Sequence, residues 1–326
     1  MLSFRPRRCT PIAASIDRES YRIPVKELIN KETRRLFRNG SVNIQTSKTL
    51  PVLPELSADN AKGEIKHIYQ SIEAALGVRL VNLVYRHLAT VPGALEWAWY
   101  TVGEPFQAGI FAERSKALIP SAPGPQKHGI SMDAAGLTAE DAENVIKTLD
   151  AYNRANPMNA VSLRVIALAL EAARPASAAP VDAPPPVDLP TLLPMVSLDS
   201  LDPAETALMY RLARLTTGRE SKIVPSLFRH FASWPGLLRQ IADWMDDLND
   251  SGVIDDQAAR VFEMADDIAK DIFAALPAPG REAVLPDPAT RQTLVETIEM
   301  FPPTICRMIV IAGLLRSRLS ADIRSG

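Results

Sequence analysis

Cysteine and histidine are scarce in this chain, and their scarcity excludes several kinds of site. The 326 residues include 2 cysteines and 4 histidines. Cys9 and Cys306 show no metal-binding or disulfide spacing, which favours a reducing, cytoplasmic location. The histidines are scattered and form no HExxH motif, so we expect no metal and no cofactor.

Long apolar runs and an excess of one charge are missing as well. The longest unbroken apolar run, MIVIAGLL at 308–315, is too short to cross a bilayer. Basic residues number 36 and acidic residues 38, so no overall field favours nucleic acid. We therefore expect neither a membrane nor a nucleic acid as a partner.

Basic residues do collect at the start of the chain. Residues 1–49 hold 11 Lys/Arg and 4 Asp/Glu, without the apolar core of a secretory signal. A partly ordered surface arm is the favoured interpretation, and a nucleic-acid or membrane contact is the alternative.

Strand signals are thin throughout the sequence. Few runs of β-branched residues alternate with polar ones, and no Asn-Gly turn joins two such runs. Apolar residues recur instead with the period of a helix, as at Ile65, Ile68 and Ile72. The sequence predicts an all-α fold.

Internal repetition is the most prominent feature that is present. YRHLATVPGAL at 85–95 returns as FRHFASWPGLL at 228–238, with six of eleven residues identical and an offset of 143. LPVL at 50–53 and LPMV at 193–196 share that offset. Two later segments, opened by Thr138 and Asp287, match at an offset of 149. These matches predict two similar halves with the same helix order.

Proline marks the connection between the halves. Residues 173–194 contain seven prolines, which is typical of an extended connector and excludes a helix. The predicted order is a basic arm (1–49), a first helical repeat (50–172), a Pro-rich linker (173–192), a second repeat (193–320) and a tail (321–326). We expect the two repeats to form a pseudo-dimer.

The repeated segments resemble a known enzyme family. EIKHIYQSIEAALGVRLVNLVYRHLATVPGALEWAW (64–99), AYNRANP (151–157) and SLFRHFASWPGLL (226–238) are similar to the group I, D,L-acting 2-haloacid dehalogenases. The resemblance covers about residues 50–320. It implies an all-α pseudo-dimer that assembles as a homodimer, with its active site between the halves.

The resemblance also implies a reaction. Halide leaves C2 of a small 2-haloalkanoic acid through direct attack by water, without a covalent ester. An aspartate activates the water with help from an asparagine. The family's asparagine corresponds to Asn156. Its aspartate corresponds to Leu227, and the serine next to that aspartate corresponds to Ser226.

Three further family positions line the substrate pocket. Two aromatic positions of the first half fall on Leu80 and Leu83, and a tyrosine of the second half falls on Phe301. The resemblance therefore implies a more apolar pocket, without the tyrosine hydroxyl.

Because leucine cannot accept a proton, another carboxylate would have to replace the base. Glu220 lies seven residues before Leu227 and is the leading substitute. Asp202 is better explained as a helix cap in the sequence Asp-Pro-Ala-Glu, and Asp199 is a weaker candidate.

The sequence is compatible with three functions. One is a hydrolytic 2-haloacid dehalogenase with a relocated base. Another is different chemistry on the same scaffold. The third is a non-catalytic helical protein that binds a small acid or a partner.

Overall fold

The computed structural model describes residues 53–120, 129–176, 181–278 and 284–325, with side chains up to 319. The arm 1–49 and the tail side chains therefore lie outside the described residues, as do most of the turns SAPGP and PAPGR. Ten α-helices and no strands occur in the described ranges, which confirms the all-α prediction. The helices are α1 (Gly63–Leu76), α2 (Leu83–Leu88), α3 (Ala94–Gln107), α4 (Ile110–Arg114), α5 (Ala139–Glu171), α6 (Pro203–Thr217), α7 (Ser226–His230), α8 (Pro235–Asp250), α9 (Val253–Ala275) and α10 (Pro288–Ser325).

The five helices before the connector and the five after it follow the same order. In each set a medium helix is followed by a very short one, two more helices and a long final helix. A 3-10 turn precedes each set, at Ala58–Asn60 and Leu198–Ser200. The domain boundaries and the pseudo-dimer stay predictions, and this shared order agrees with them.

Local sequence explains where several helices begin. Thr138 and Asp202 each form a capping box with an acidic residue three positions later, so the first free amides of α5 and α6 are satisfied. The interpretation of Asp202 as a cap is confirmed. Gly109 and Gly252, at an offset of 143, both adopt the left-handed conformation before α4 and α9, where a β-carbon would cause strain.

The long helices α5 and α10 form the centre of the core and run antiparallel. Asp150 accepts hydrogen bonds from Arg316, and near the opposite ends the Leu170 carbonyl accepts one from Arg291. Between these contacts, Asn153 donates to the carbonyl of Ala312 at 3.3 Å. Both helices contain proline, which removes backbone hydrogen bonds near their midpoints.

The apolar character of α10 comes from its place in the core. Residues 288–319 are long and apolar enough to qualify as a membrane span by composition. However, 78% of the most apolar window is buried inside the fold. The helix therefore uses its apolar residues for packing within the chain.

The connector passes over the first half without regular secondary structure between 181 and 197. Its Val181 amide donates to Glu64 of α1, and its Val181 carbonyl bonds the ring of His67. Further along, the carbonyl of Pro190 accepts from the amide of Arg79. These bonds hold the Pro-rich segment in place against α1.

The repeated Arg-His pairs have structural contacts in both halves. The carbonyls of Arg86 and Arg229 accept the amides of Leu56 and Val196, and the two histidines bond the carbonyls of Pro54 and Leu193. By these backbone contacts Leu56 of LPEL (53–56) corresponds to Val196 of LPMV, at an offset of 140. Residues 50–52 of LPVL lie outside the described residues, so its match with LPMV stays a prediction.

This equivalence exposes a difference between the halves. Arg86 is paired with Glu55 at 2.7 Å, and its side chain is 9% exposed. In the second half, the position of Glu55 is taken by Met195. Arg229 donates to the Val196 carbonyl instead.

We expect Glu55→Met to destabilise the protein by about 1–3 kcal/mol, because the nearly buried Arg86 guanidinium would lose its carboxylate. The measurement is the free energy of unfolding in urea. The matched control is Met195→Glu, which adds an acid opposite Arg229 and should change stability by less than about 1 kcal/mol. Equal losses in both variants would contradict the proposed difference between the halves.

Candidate functional site

A cavity of about 100 Å³ lies between the two long helices and the start of the short helices α2 and α7. A single water needs roughly 10–15 Å³ of such a cavity, so the space holds several waters or a small organic molecule. Its apolar wall includes Leu53, Val84, Ile223, Met300, Ile305 and Met308. Hydroxyl groups are contributed by Thr217, Thr304, Tyr152 and Ser226.

Five residues selected from the sequence line this cavity together. Asn156 projects from α5, and Phe301 lies on α10. Leu83 begins α2, while Ser226 and Leu227 begin α7 directly after Pro225. Residues from both halves therefore meet in one wall.

Leu80 does not line the cavity, contrary to the sequence expectation. It lies in the turn between α1 and α2, where its amide donates to the Val78 carbonyl. Its side chain packs into the hydrophobic core and is 5% exposed. The chain reaches the cavity two residues later, at Asn82.

Glu220 is also displaced from the cavity. Its side chain is 72% exposed and faces Arg214 at 3.9 Å. The neighbouring Ser221 turns inward instead, because its hydroxyl bonds both the amide and the carbonyl of Ile223. This local turn directs Glu220 into solvent.

The cavity wall carries no formal charge, since none of its lining residues is acidic or basic. Burial raises the pKa of Tyr152, while the Ser226 hydroxyl and the charges of Arg86 and Arg229 lower it. Burial has the larger effect, so the phenol stays protonated at neutral pH. The polar groups of the cavity are thus uncharged amides and hydroxyls.

Three carboxamides form a cluster at the polar side of the cavity. Asn82 donates to the side-chain oxygen of Asn156 through a long, 3.4 Å hydrogen bond. The Asn82 oxygen and both amide atoms of Asn159 are buried without a hydrogen-bond partner among the described residues. Sequence reasoning missed Asn82 and Asn159, although Asn159 follows Asn156 by three residues and so shares its helix face.

The cavity can bind and orient a small molecule, but it lacks a proton acceptor of useful basicity. Carboxamides orient water through hydrogen bonds and do not take up its proton. A positioned general base contributes about 10²–10⁴ in rate. Leu227, where the sequence resemblance implies an aspartate, is fully buried.

Metal sites and nucleophilic thiols need particular sets of side chains. No group of three or more His, Cys, Asp or Glu side chains there could hold a metal ion. The one described cysteine, Cys306, is buried, which raises the pKa of its thiol to about 12. This thiol is therefore a poor nucleophile at neutral pH.

Comparison with known proteins identifies the scaffold through structure alone. No protein-family model matches the chain, and no curated protein matches it. A D-2-haloacid dehalogenase mutant in complex with D-2-CPA is similar with a TM-score of 0.59 and 17% identity, covering 83% of this chain and 98% of that one.

Two further solved structures give the same result. A D-2-haloacid dehalogenase mutant has a TM-score of 0.62 and 16% identity, and a D-2-haloacid dehalogenase in complex with L-LA has 0.61 and 17%. Each match covers 84% of this chain and 99% of the other protein's chain. The chain therefore shares the all-α fold of these structures. At this identity the likeness concerns the fold.

The position of Glu220 yields a direct test. Because this side chain is exposed and outside the cavity, Glu220→Gln should leave the free energy of unfolding within about 0.5 kcal/mol of wild type. Any halide release from 2-chloropropionate should also be unchanged. Loss of halide release with stability retained would identify Glu220 as the base.

Proposed function

We propose that this chain is a 2-haloacid dehalogenase-like protein that binds a small 2-haloalkanoic acid in the cavity between its halves. The observation that carries the proposal is the meeting of Asn156, Ser226, Leu83, Leu227 and Phe301 in that cavity. The family resemblance of the sequence implies the same five positions.

The corresponding reaction is hydrolytic. The oxygen of a water molecule forms a bond to C2, the carbon–halogen bond breaks, and the products are a 2-hydroxy acid, a halide ion and a proton. Asn156 would orient the water through its amide, and Ser226 would contribute a hydroxyl group to the cavity wall. The apolar wall would surround the carbon chain and the halogen.

Turnover by the wild-type chain should be very low, because no group in the cavity accepts the proton of the attacking water. Loss of a general base alone removes about 3–5 kcal/mol of barrier reduction. The scaffold would therefore bind its ligand much better than it converts it.

A second candidate follows from this missing base. A cavity with amides, hydroxyls and no carboxylate is equally suited to a protein that binds a small molecule without converting it. Different chemistry in the same apolar pocket is a further alternative. Halide release distinguishes these functions from hydrolytic dehalogenation.

Assembly and location are part of the proposal. We infer a homodimer in the cytoplasm, with a small carboxylic acid as ligand and no nucleic-acid or membrane partner. The family resemblance supports the dimer. The near balance of 36 basic and 38 acidic residues supports the absence of nucleic acid.

Restoring the acid at position 227 tests the proposed function. We expect Leu227→Asp to raise halide release from 2-chloropropionate by roughly 10²-fold, because Asn156 and Ser226 are already in place. Its apolar surroundings should raise the pKa of the new carboxyl group, so the rate should increase with pH through that pKa. Both enantiomers should be assayed by measuring free chloride.

Leu227→Asn is the matched control, since its side chain has the same shape as aspartate and no useful basicity. It should not exceed the wild-type rate. A folded Leu227→Asp variant that is no faster than Leu227→Asn would contradict the hydrolytic proposal. Rapid release by the wild type would show that a base exists elsewhere.

A further inference from the structure

Asn159 is a buried polar residue that the family resemblance does not assign to any role. It lines the cavity from α5, one helical turn beyond Asn156, and is 1% exposed. Neither its side-chain oxygen nor its side-chain nitrogen has a hydrogen-bond partner in the described structure. Buried carboxamides are almost always hydrogen-bonded, and a water or a ligand in the cavity would supply the partner of this side chain.

The requirement does not depend on how the amide is oriented. Exchanging the oxygen and nitrogen of Asn159 leaves one donor group and one acceptor without partners in either case. Asn82 adds a buried oxygen that also has no partner. A molecule that satisfies this part of the wall must both donate and accept hydrogen bonds.

An ionised carboxylate meets only half of that requirement. It accepts hydrogen bonds and cannot donate any, so it would face carbonyl oxygens without a proton between them. It would also lose water in a cavity whose wall has no positive charge.

Arg86 and Arg229 lower the pKa of Tyr152 from outside the cavity. Both guanidinium groups already have other partners. Arg86 is paired with Glu55 at 2.7 Å. Arg229 donates to the Val196 carbonyl at 3.0 Å. Neither residue lines the cavity.

We propose that Asn159, together with Asn82, binds the carboxyl end of the ligand in an uncharged form that both donates and accepts hydrogen bonds. The preferred ligand is then a small 2-halocarboxamide, or the undissociated acid, rather than the 2-haloacid anion. This inference rests on the proposed function for the location of the site. The expected binding preference does not depend on catalytic turnover.

The test is a comparison of binding by two molecules of nearly the same shape. 2-Chloropropionamide and 2-chloropropionate are titrated separately into the wild-type protein at pH 7.5, where the acid is ionised, and Kd is measured by ligand-observed NMR. We expect the amide to bind at least tenfold more tightly, which corresponds to about 1.4 kcal/mol. Equal or tighter binding of the anion, or no binding of either molecule, would overturn the proposal.

Variants then assign the preference to Asn159. Asn159→Leu should lose tenfold or more in amide affinity, with little change for the anion. Asn159→Ala serves the same purpose if the leucine variant does not fold. Asn153→Leu is the matched control, because Asn153 is a buried asparagine on the same helix outside the cavity wall. Wild-type amide affinity in Asn159→Ala would overturn the assignment.

The two proposals can fail independently. Preference for the amide together with no halide release by Leu227→Asp would support this inference and contradict hydrolytic dehalogenation. Halide release from 2-chloropropionate by Leu227→Asp without an amide preference would support hydrolytic dehalogenation and contradict this inference.

Discussion

The antiparallel packing of α5 against α10 determines the arrangement of the core and of the cavity. Arg316 with Asp150 and Arg291 with the Leu170 carbonyl fix the alignment of the two helices at separate points. Almost every side chain of α5 from 152 to 170 is buried, so sliding one helix along the other would displace a large part of the core. The cavity lies on this pair, beside the prolines that interrupt backbone hydrogen bonding in both helices.

The two long helices contribute different side chains to the cavity. At the offset of 149, Tyr152 corresponds to Phe301, and two asparagines of α5 correspond to apolar residues of α10. These pairs are Asn156 with Ile305 and Asn159 with Met308, and all six side chains line the cavity. Equivalent backbone positions thus supply amides on one wall and hydrocarbon on the other. A small molecule with an apolar body and one polar end fits that division.

The sequence predicted the helical framework because the signals for it are local. Caps such as Thr138 and Asp202, and apolar residues at the helical period, determine where helices begin and which face is buried. Five cavity residues could be predicted because they correspond to pocket positions of the family that the sequence resembles.

Features that depend on three-dimensional contacts were not predictable in this way. The outward direction of Glu220 follows from hydrogen bonds of the neighbouring Ser221. The correspondence of Leu56 with Val196 follows from their backbone contacts with Arg86 and Arg229. The lack of partners for Asn159 is visible only once its surroundings are known.

We propose that a small halogenated molecule binds in the cavity between α5 and α10. A crystal structure of the protein with 2-bromopropionamide, recorded at the bromine absorption edge, would locate the ligand. We expect one anomalous bromine peak inside the cavity, against the apolar wall near Phe301 and Met308, with the amide towards Asn159. An empty cavity at saturating ligand, or a bromine peak elsewhere on the chain, would contradict it.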